Sequence, residues 1–271
     1  MIYLSDTDWK SLSPYLLDSN EKVSLCENLY KIMKTISSKL KFSSQVVLSI
    51  AMIYFHKYFF YSKFDIEKGT KRLFLCASFI FIATKVANRL ISLNEVSNIV
   101  KEILQKKNFS FTKEEIKQNI IENEFNIMSV IGFNLEVDLP YSFLIKIKKY
   151  FEENLQLNTK KLVELCCYYI NDSFILPLCL HYMPDVIAIS AVSIMTKQID
   201  IKLDIEQIAK LSDFDVDLAE VNECEQAIKG LYTRKNLINE NNNKTELNYN
   251  KVNNNNSTIN SIDNETNKCI V

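Results

Sequence analysis

Two stretches of the chain are apolar on every helical face. Leu73–Lys85 reads Leu-Phe-Leu-Cys-Ala-Ser-Phe-Ile-Phe-Ile-Ala-Thr-Lys. A related run returns at Ile189–Lys197, where Ile-Ser-Ala-Val-Ser-Ile-Met-Thr-Lys lies over Ala77–Lys85. A helix with no polar face belongs at the centre of a bundle. The first run is shorter than the ~20 apolar residues that cross a bilayer, and Arg72 and Lys85 close it at both ends. The repetition predicts an all-α chain of two bundles, each built around one buried helix.

Amphipathic spacing supplies the remaining elements. A first helix is expected from Asn20 to Leu40, with Leu25, Leu29, Ile32, Met33 and Ile36 on one face. A second, capped by Ser43-Ser44, runs to Phe60. The buried helix follows at 69–87 and a fourth at Leu93–Lys106. The fifth opens on Thr112-Lys-Glu-Glu115, a capping-box signature, and stops at Gly132. Beyond Pro140 the pattern predicts helices at 141–153, 158–175, 184–197, 204–211 and 216–233, with Pro140 and Pro184 suited to first turns. The expected organisation is an N-terminal arm (1–20), a first five-helix bundle (21–136), a linker at Glu136–Pro140, and a second bundle (140–234). The Asn-rich segment 235–271 lacks the apolar residues to offset its ordering entropy and reads as a disordered tail.

Composition agrees and removes several function classes. Only 3 Gly and 4 Pro occur in 271 residues, which favours long helices over the many turns of an α/β fold. With glycines at 69, 132 and 230 alone, no Gly-rich phosphate loop can form. A net charge of −1 gives no reason to expect nucleic acid, and Lys146, Lys148 and Lys149 form only a small cluster, better read as a solvated face. Seven cysteines without a Cys-x-x-Cys pair, and 2 histidines, argue against a zinc site and for buried free thiols in a reducing compartment. The first residues carry no signal-peptide pattern, and Cys269-Ile-Val places its cysteine one residue too late for prenylation. No nucleophile-and-base pair, metal-ligand spacing or cofactor motif is present, so the expectation is a non-catalytic protein with no cofactor, metal, small-molecule substrate or membrane partner.

Two charged residues depart from a plain core. Glu124 falls on the stripe Ile120, Glu124, Met128, Ile131 of the fifth helix, where a lone carboxylate is costly to desolvate. Lys85 ends the buried helix. Each has an ordinary alternative: Lys85 as a cation facing the helix C-terminal dipole, Glu124 as a half-exposed boundary residue.

Residues 43–64, with Tyr-Phe-His-Lys at 54–57, resemble the second helix of a cyclin box, and the run is similar to the Tyr-Phe-His-Arg of cyclins K, L and T. Phe79–Val86 is similar to the family's Leu-Phe-Leu-Ala-x-Lys-Val. Asn123–Leu135 followed by Pro140–Leu144 resembles the end of the box and the start of a second repeat, which Tyr169–Phe174 and Pro184–Ile189 continue. Asp8-Trp9-Lys10 with Ser13-Pro14 resembles the N-terminal arm. The resemblance implies a regulatory subunit that binds and activates a cyclin-dependent kinase, of the transcriptional type and hence nuclear. It also implies that Lys85 and Glu124 bind the kinase's mobile helix. Three departures stand out. The acidic pair that follows Lys-Val in the family is Ala87-Asn88 here, the connection after Phe64 is longer than in cyclin T, and Lys22–Cys26 replaces the Met-Arg-Ala-Ile-Leu patch of cell-cycle cyclins. A cyclin-fold adaptor without kinase activation, like the transcription factor IIB and retinoblastoma families, is the competing expectation.

Overall fold

The computed structural model describes residues 20–41, 44–62, 69–154, 159–213 and 215–234. The expected arm before Asn20, the Asn-rich tail and the connection after Phe64 lie outside them. Among the described residues the chain is helical and contains no strand. Five helices come first: α1 (Asn20–Lys39), α2 (Gln45–Tyr61), α3 (Thr70–Val86), α4 (Leu93–Gln105) and α5 (Lys113–Val130). Five more follow: α6 (Tyr141–Asn154), α7 (Thr159–Ser173), α8 (Pro184–Gln198), α9 (Ile205–Ala209) and α10 (residues 218–234).

The two apolar runs are the bundle centres. α3 packs against α1, α2, α4 and α5, and every residue of Cys76–Thr84 is buried. α8 packs against α6, α7 and α9, and Val186–Thr196 are all buried. Each central helix is also tied to the last helix of its bundle by the same bond. Ser78 donates to its own Phe74 carbonyl and to that of Ile120 on α5; Ser190 donates to Val186 and to Val221 on α10.

Local signals explain the helix ends. Thr112 and Glu115 form the expected reciprocal cap, with the Thr112 N–H donating to Glu115 at 2.7 Å and the Glu115 N–H to Thr112 Oγ1 at 3.2 Å. Ser92 caps α4 and Asp204 caps α9 one way only, accepting from the N–H of Glu95 and from those of Glu206 and Gln207. Gly132 stops α5 with a left-handed φ of 62°. Pro184 occupies the first turn of α8, whereas Pro140 sits just before α6. Ser44 holds the N-cap position of α2 but makes no side-chain cap bond, because the burial of α2 rather than a cap fixes its start.

One element was not anticipated. Pro177–Leu180 forms a 3-10 turn whose residues are all buried, and it packs against α2 of the first bundle. Four apolar residues carry no periodicity that separates a short buried turn from a loop. The described cysteines are free thiols and all but Cys167 are buried, with burial pushing Cys26, Cys166, Cys179 and Cys224 up to about 12.

Candidate functional site

Lys85 and Glu124, 39 residues apart, meet. Lys85 ends α3, the buried helix, and its Nζ lies 2.5 Å from Glu124 Oε1 on α5. The ammonium also sits 4.1 Å from the centre of the Phe81 ring, one turn back on α3. The Lys85 side chain is 46% exposed and Glu124 20%, so the pair lies at the rim of the core rather than in it. A pair this wet adds about 0–1 kcal/mol to the fold, which leaves its charge available for something else.

The surroundings of the pair are apolar and open. At 100° per residue, Met128, Ile121 and Phe125 lie about 40°, 60° and 100° round α5 from Glu124. Ile121 is 46% exposed and Phe125 70%. Beyond α5, Phe133 is 62% exposed, and after α3 Leu90 is 83% exposed. Phe133 also holds a left-handed φ of 55° directly after Gly132, which for a bulky side chain costs about 1–3 kcal/mol. Strained backbone carrying an exposed aromatic is a mark of a surface kept for a purpose.

The second bundle provides an internal comparison. One constant register places Phe74, Ser78, Thr84, Lys85, Asn88 and Ser92 over Val186, Ser190, Thr196, Lys197, Asp200 and Asp204. The match extends to detail. Thr84 and Thr196 both bond back one turn, Asn88 and Asp200 both have φ 53°, and Ser92 and Asp204 are both N-caps. A second register places Ile120 and Glu124 over Val221 and Glu225. Lys197 meets Glu225 at 2.7 Å, as Lys85 meets Glu124.

The two copies then differ in what surrounds the pair. The counterparts of Leu90, Ile121, Phe125, Met128 and Phe133 are Lys202, Asn222, Gln226, Lys229 and Arg234. Glu225 is fully buried and takes bonds from Lys197, Lys229 and Ser193. Burial pushes its carboxyl up, but those bonds outweigh burial and hold it below the ordinary carboxylate range. The carboxylate of the second copy is enclosed and held by three side-chain donors, while that of the first is partly exposed and bordered by apolar side chains.

The Tyr54–Lys57 run has a structural role that the sequence pattern does not disclose. Tyr54 donates to the Leu135 carbonyl at 2.8 Å, Phe55 packs edge-on to Phe79 of α3, and His56 Nε2 lies 2.9 Å from the Phe174 carbonyl of the second bundle. Lys57, a buried lysine, donates to the carbonyls of Glu136 at 3.1 Å and Asn134 at 3.5 Å. Burial lowers its pKa, with nearby Cys179, Glu136 and Asp138 acting the other way. His56 is pushed down to about 4 by complete burial and is neutral, so Nε2–H donates to Phe174. Across the same junction Ser49 bonds Tyr141, which donates to Asn171 at 2.6 Å.

Both expected site residues are therefore brought together. The sequence reading missed the exposed apolar arc and Glu225. The arc is invisible to periodicity because Ile121 and Phe125 look like core residues, whereas Glu225 was legible once the second register was applied. Among the described residues no group of His, Cys, Asp and Glu is arranged to hold a metal, and no helix is long and apolar enough to cross a membrane.

No family model matches the chain. Among curated proteins it is 27% identical to Homo sapiens cyclin-K over 143 residues, covering 53% of this chain and 24% of that protein. It is 28% identical over 166 residues to cyclin pch1 of Schizosaccharomyces pombe (59% and 46%), and 22% identical over 224 residues to cyclin-T1-2 of Arabidopsis thaliana (80% and 47%). The chain thus spans less than half the length of these relatives. Its fold is shared with a chain of the yeast RNA polymerase II CTD kinase CTDK-1 complex, at TM-score 0.69 and 16% identity over 86% of this chain and 73% of that one. A chain of the yeast TFIIK (Kin28/Ccl1/Tfb3) complex gives TM-score 0.59 and 16% identity, over 84% and 96%. The chain thus shares the fold of these chains and is similar in sequence to cyclins K and T.

Proposed function

We propose that this chain is a regulatory subunit that binds and activates a cyclin-dependent kinase acting on transcription, and that it works in the nucleus. In this reading residues 21–136 are the cyclin box and 140–234 a second cyclin-like repeat. The chain supplies no catalytic group. The observation that carries the reading is the contrast between the two copies: one framework, with a partly exposed carboxylate among apolar side chains in the first repeat and an enclosed carboxylate held by polar groups in the second. The names of the relatives and of the structural neighbours support the kinase and transcription parts.

The mechanism is a population shift. A kinase needs its mobile helix swung in so that a Lys–Glu ion pair aligns the ATP phosphates. Moving it from about 1% to 99% of that state requires a preference of about 5.5 kcal/mol. Lys85 and Glu124 alone cannot supply this. Covering Phe125 and Phe133 contributes about 1.5–3 kcal/mol each, and Ile121 and Leu90 add to it. The ion pair's part is register: Lys85 has donors and Glu124 an acceptor oxygen left for backbone groups at the end of a docked helix.

The test is activation in a purified system. Cyclin-dependent kinases prepared without cyclins are mixed with this chain, and phosphorylation of an RNA polymerase II C-terminal-domain peptide is followed. Activation that disappears with Glu124→Ala supports the reading. Binding without activation would instead make the chain an adaptor.

A further inference from the structure

We infer that Lys57 is the positioning residue of the docking face. It acts by holding the turn that follows α5, so that Phe133 projects where a partner helix meets it. The inference rests on the proposed docking role of that face and adds a residue remote from the Lys85–Glu124 pair.

The turn at 131–136 has a backbone that must be held from outside. Gly132 and Phe133 take left-handed φ values of 62° and 55° in succession, and only the first is a glycine. A chain free to relax would return Phe133 to an ordinary conformation and fold the ring toward apolar cover. Inside the turn, the Phe133 N–H reaches Met128 and the Asn134 N–H reaches Ile131, which fixes its beginning. Its end is fixed by α2. The carbonyls of Asn134, Leu135 and Glu136 are three in a row, and all accept hydrogen bonds from Lys57 or Tyr54.

Three successive carbonyl oxygens, all reached from α2, gather partial negative charge at one place. A cation is suited to that place, and a buried one strengthens the attraction because water does not screen it. The long lysine stem also explains the choice of residue. Lys57 starts on α2, lies 5.8 Å over the Tyr54 ring, and reaches past it to the far carbonyls. Tyr54 is one turn earlier on the same helix face and serves the middle carbonyl. Together they clamp the exit of α5 onto α2, itself packed on α3, so the two helices of the docking face share one support.

Lys57→Met tests this, because it keeps the buried stem and removes the ammonium. Hydrogen exchange at the amides of 133–136 should quicken at least tenfold, with the melting temperature close to that of the unaltered chain. Lys57→Arg should restore slow exchange. Tyr54→Phe, which removes one hydroxyl, should quicken exchange at the same amides and serves if the methionine variant folds poorly. Kinase binding should weaken about tenfold in Lys57→Met and in Phe133→Ala, and the double variant should be no weaker than Phe133→Ala. Unchanged exchange in both α2 variants, or fully additive losses in the double variant, would overturn the inference. The exchange measurement needs no partner, so a chain that binds no kinase would defeat the proposed function while the exchange result still decided whether Lys57 holds the turn.

Discussion

Glu225 stands to Lys197 as Glu124 stands to Lys85, yet Glu225 is wholly enclosed while Glu124 keeps part of its carboxylate in solvent. One framework thus serves two ends. In the second repeat the carboxylate accepts from Ser193, Lys197 and Lys229 and ties α8 to α10. In the first it has Lys85, and apolar side chains stand around it.

Replacing either charge of the first pair is expected to weaken kinase binding. Lys85→Ala or Glu124→Ala should cost about 2–4 kcal/mol in affinity, the range for one partner of a charge contact that becomes desolvated at an interface. Lys197→Ala should bind almost normally. Titration calorimetry of the three variants checks this, and the reverse order would move the docking site to the second repeat.

The exposed ring of Phe125 should contribute through area alone. Phe125→Ser is expected to lose about 1.5–3 kcal/mol of binding with little change in thermal stability, since the ring is 70% exposed in the free chain. A melting curve beside a binding isotherm separates the two effects. A large drop in melting temperature would mean that Phe125 belongs to the core.

Glu225→Gln should instead destabilise the fold, by about 1–3 kcal/mol, because buried lone pairs lose charge-assisted donors, and leave kinase binding intact once folded. The carboxyl is held below its ordinary value, so its contribution is present at neutral pH. That contribution is lost as pH falls through the folded pKa, which lies below the usual carboxylate range. Denaturant titrations from pH 7 downward should show a shallower loss in acid for the variant. An identical acid profile would remove the pair from the stability account.

His56 acts in a different window. Its folded value of about 4 lies below the ordinary 6.5, so the unfolded chain takes up a proton first as pH drops. Stability should fall between those two values by up to about 3 kcal/mol. His56→Gln keeps a donor for the Phe174 carbonyl and should flatten this part of the profile. Midpoints at pH 7.5 and 5 suffice to measure it, and an unaltered slope in the variant would assign the titration elsewhere.

The fold was legible because its strongest signals are local. Leu73–Lys85 and its later counterpart have no polar face, and Thr112 with Glu115 marks a helix start by the bonds it can make. The Lys85–Glu124 pair was legible because a charge among apolar positions stands out in one dimension. The buried turn at Pro177–Leu180 was not, since four apolar residues carry no period. The exposed arc was hidden for the opposite reason: Ile121 and Phe125 satisfy a core pattern, and only the packed structure shows how much of each the described residues leave exposed. The tasks of His56 and Lys57 depend on carbonyls far along the chain, 118 and 79 residues away, which no local pattern encodes.

The Tyr54–Lys57 run carries a further consequence, for how this sequence can change. Four consecutive helical residues point around nearly the full circumference of α2, and here each direction is taken: a turn, a core, a neighbouring repeat and the turn again. No solvent-facing position is left in the run to absorb a drift in register. An insertion or deletion within α2 before Tyr54 would misalign all four at once, whereas Tyr61, at its far end and 60% exposed, tolerates exchange. Saturation mutagenesis across α2 should therefore return a sharp block of intolerance at 54–57, where the only polar exchanges retained are those that keep a donor of similar reach to the distant carbonyls, such as Lys57→Arg.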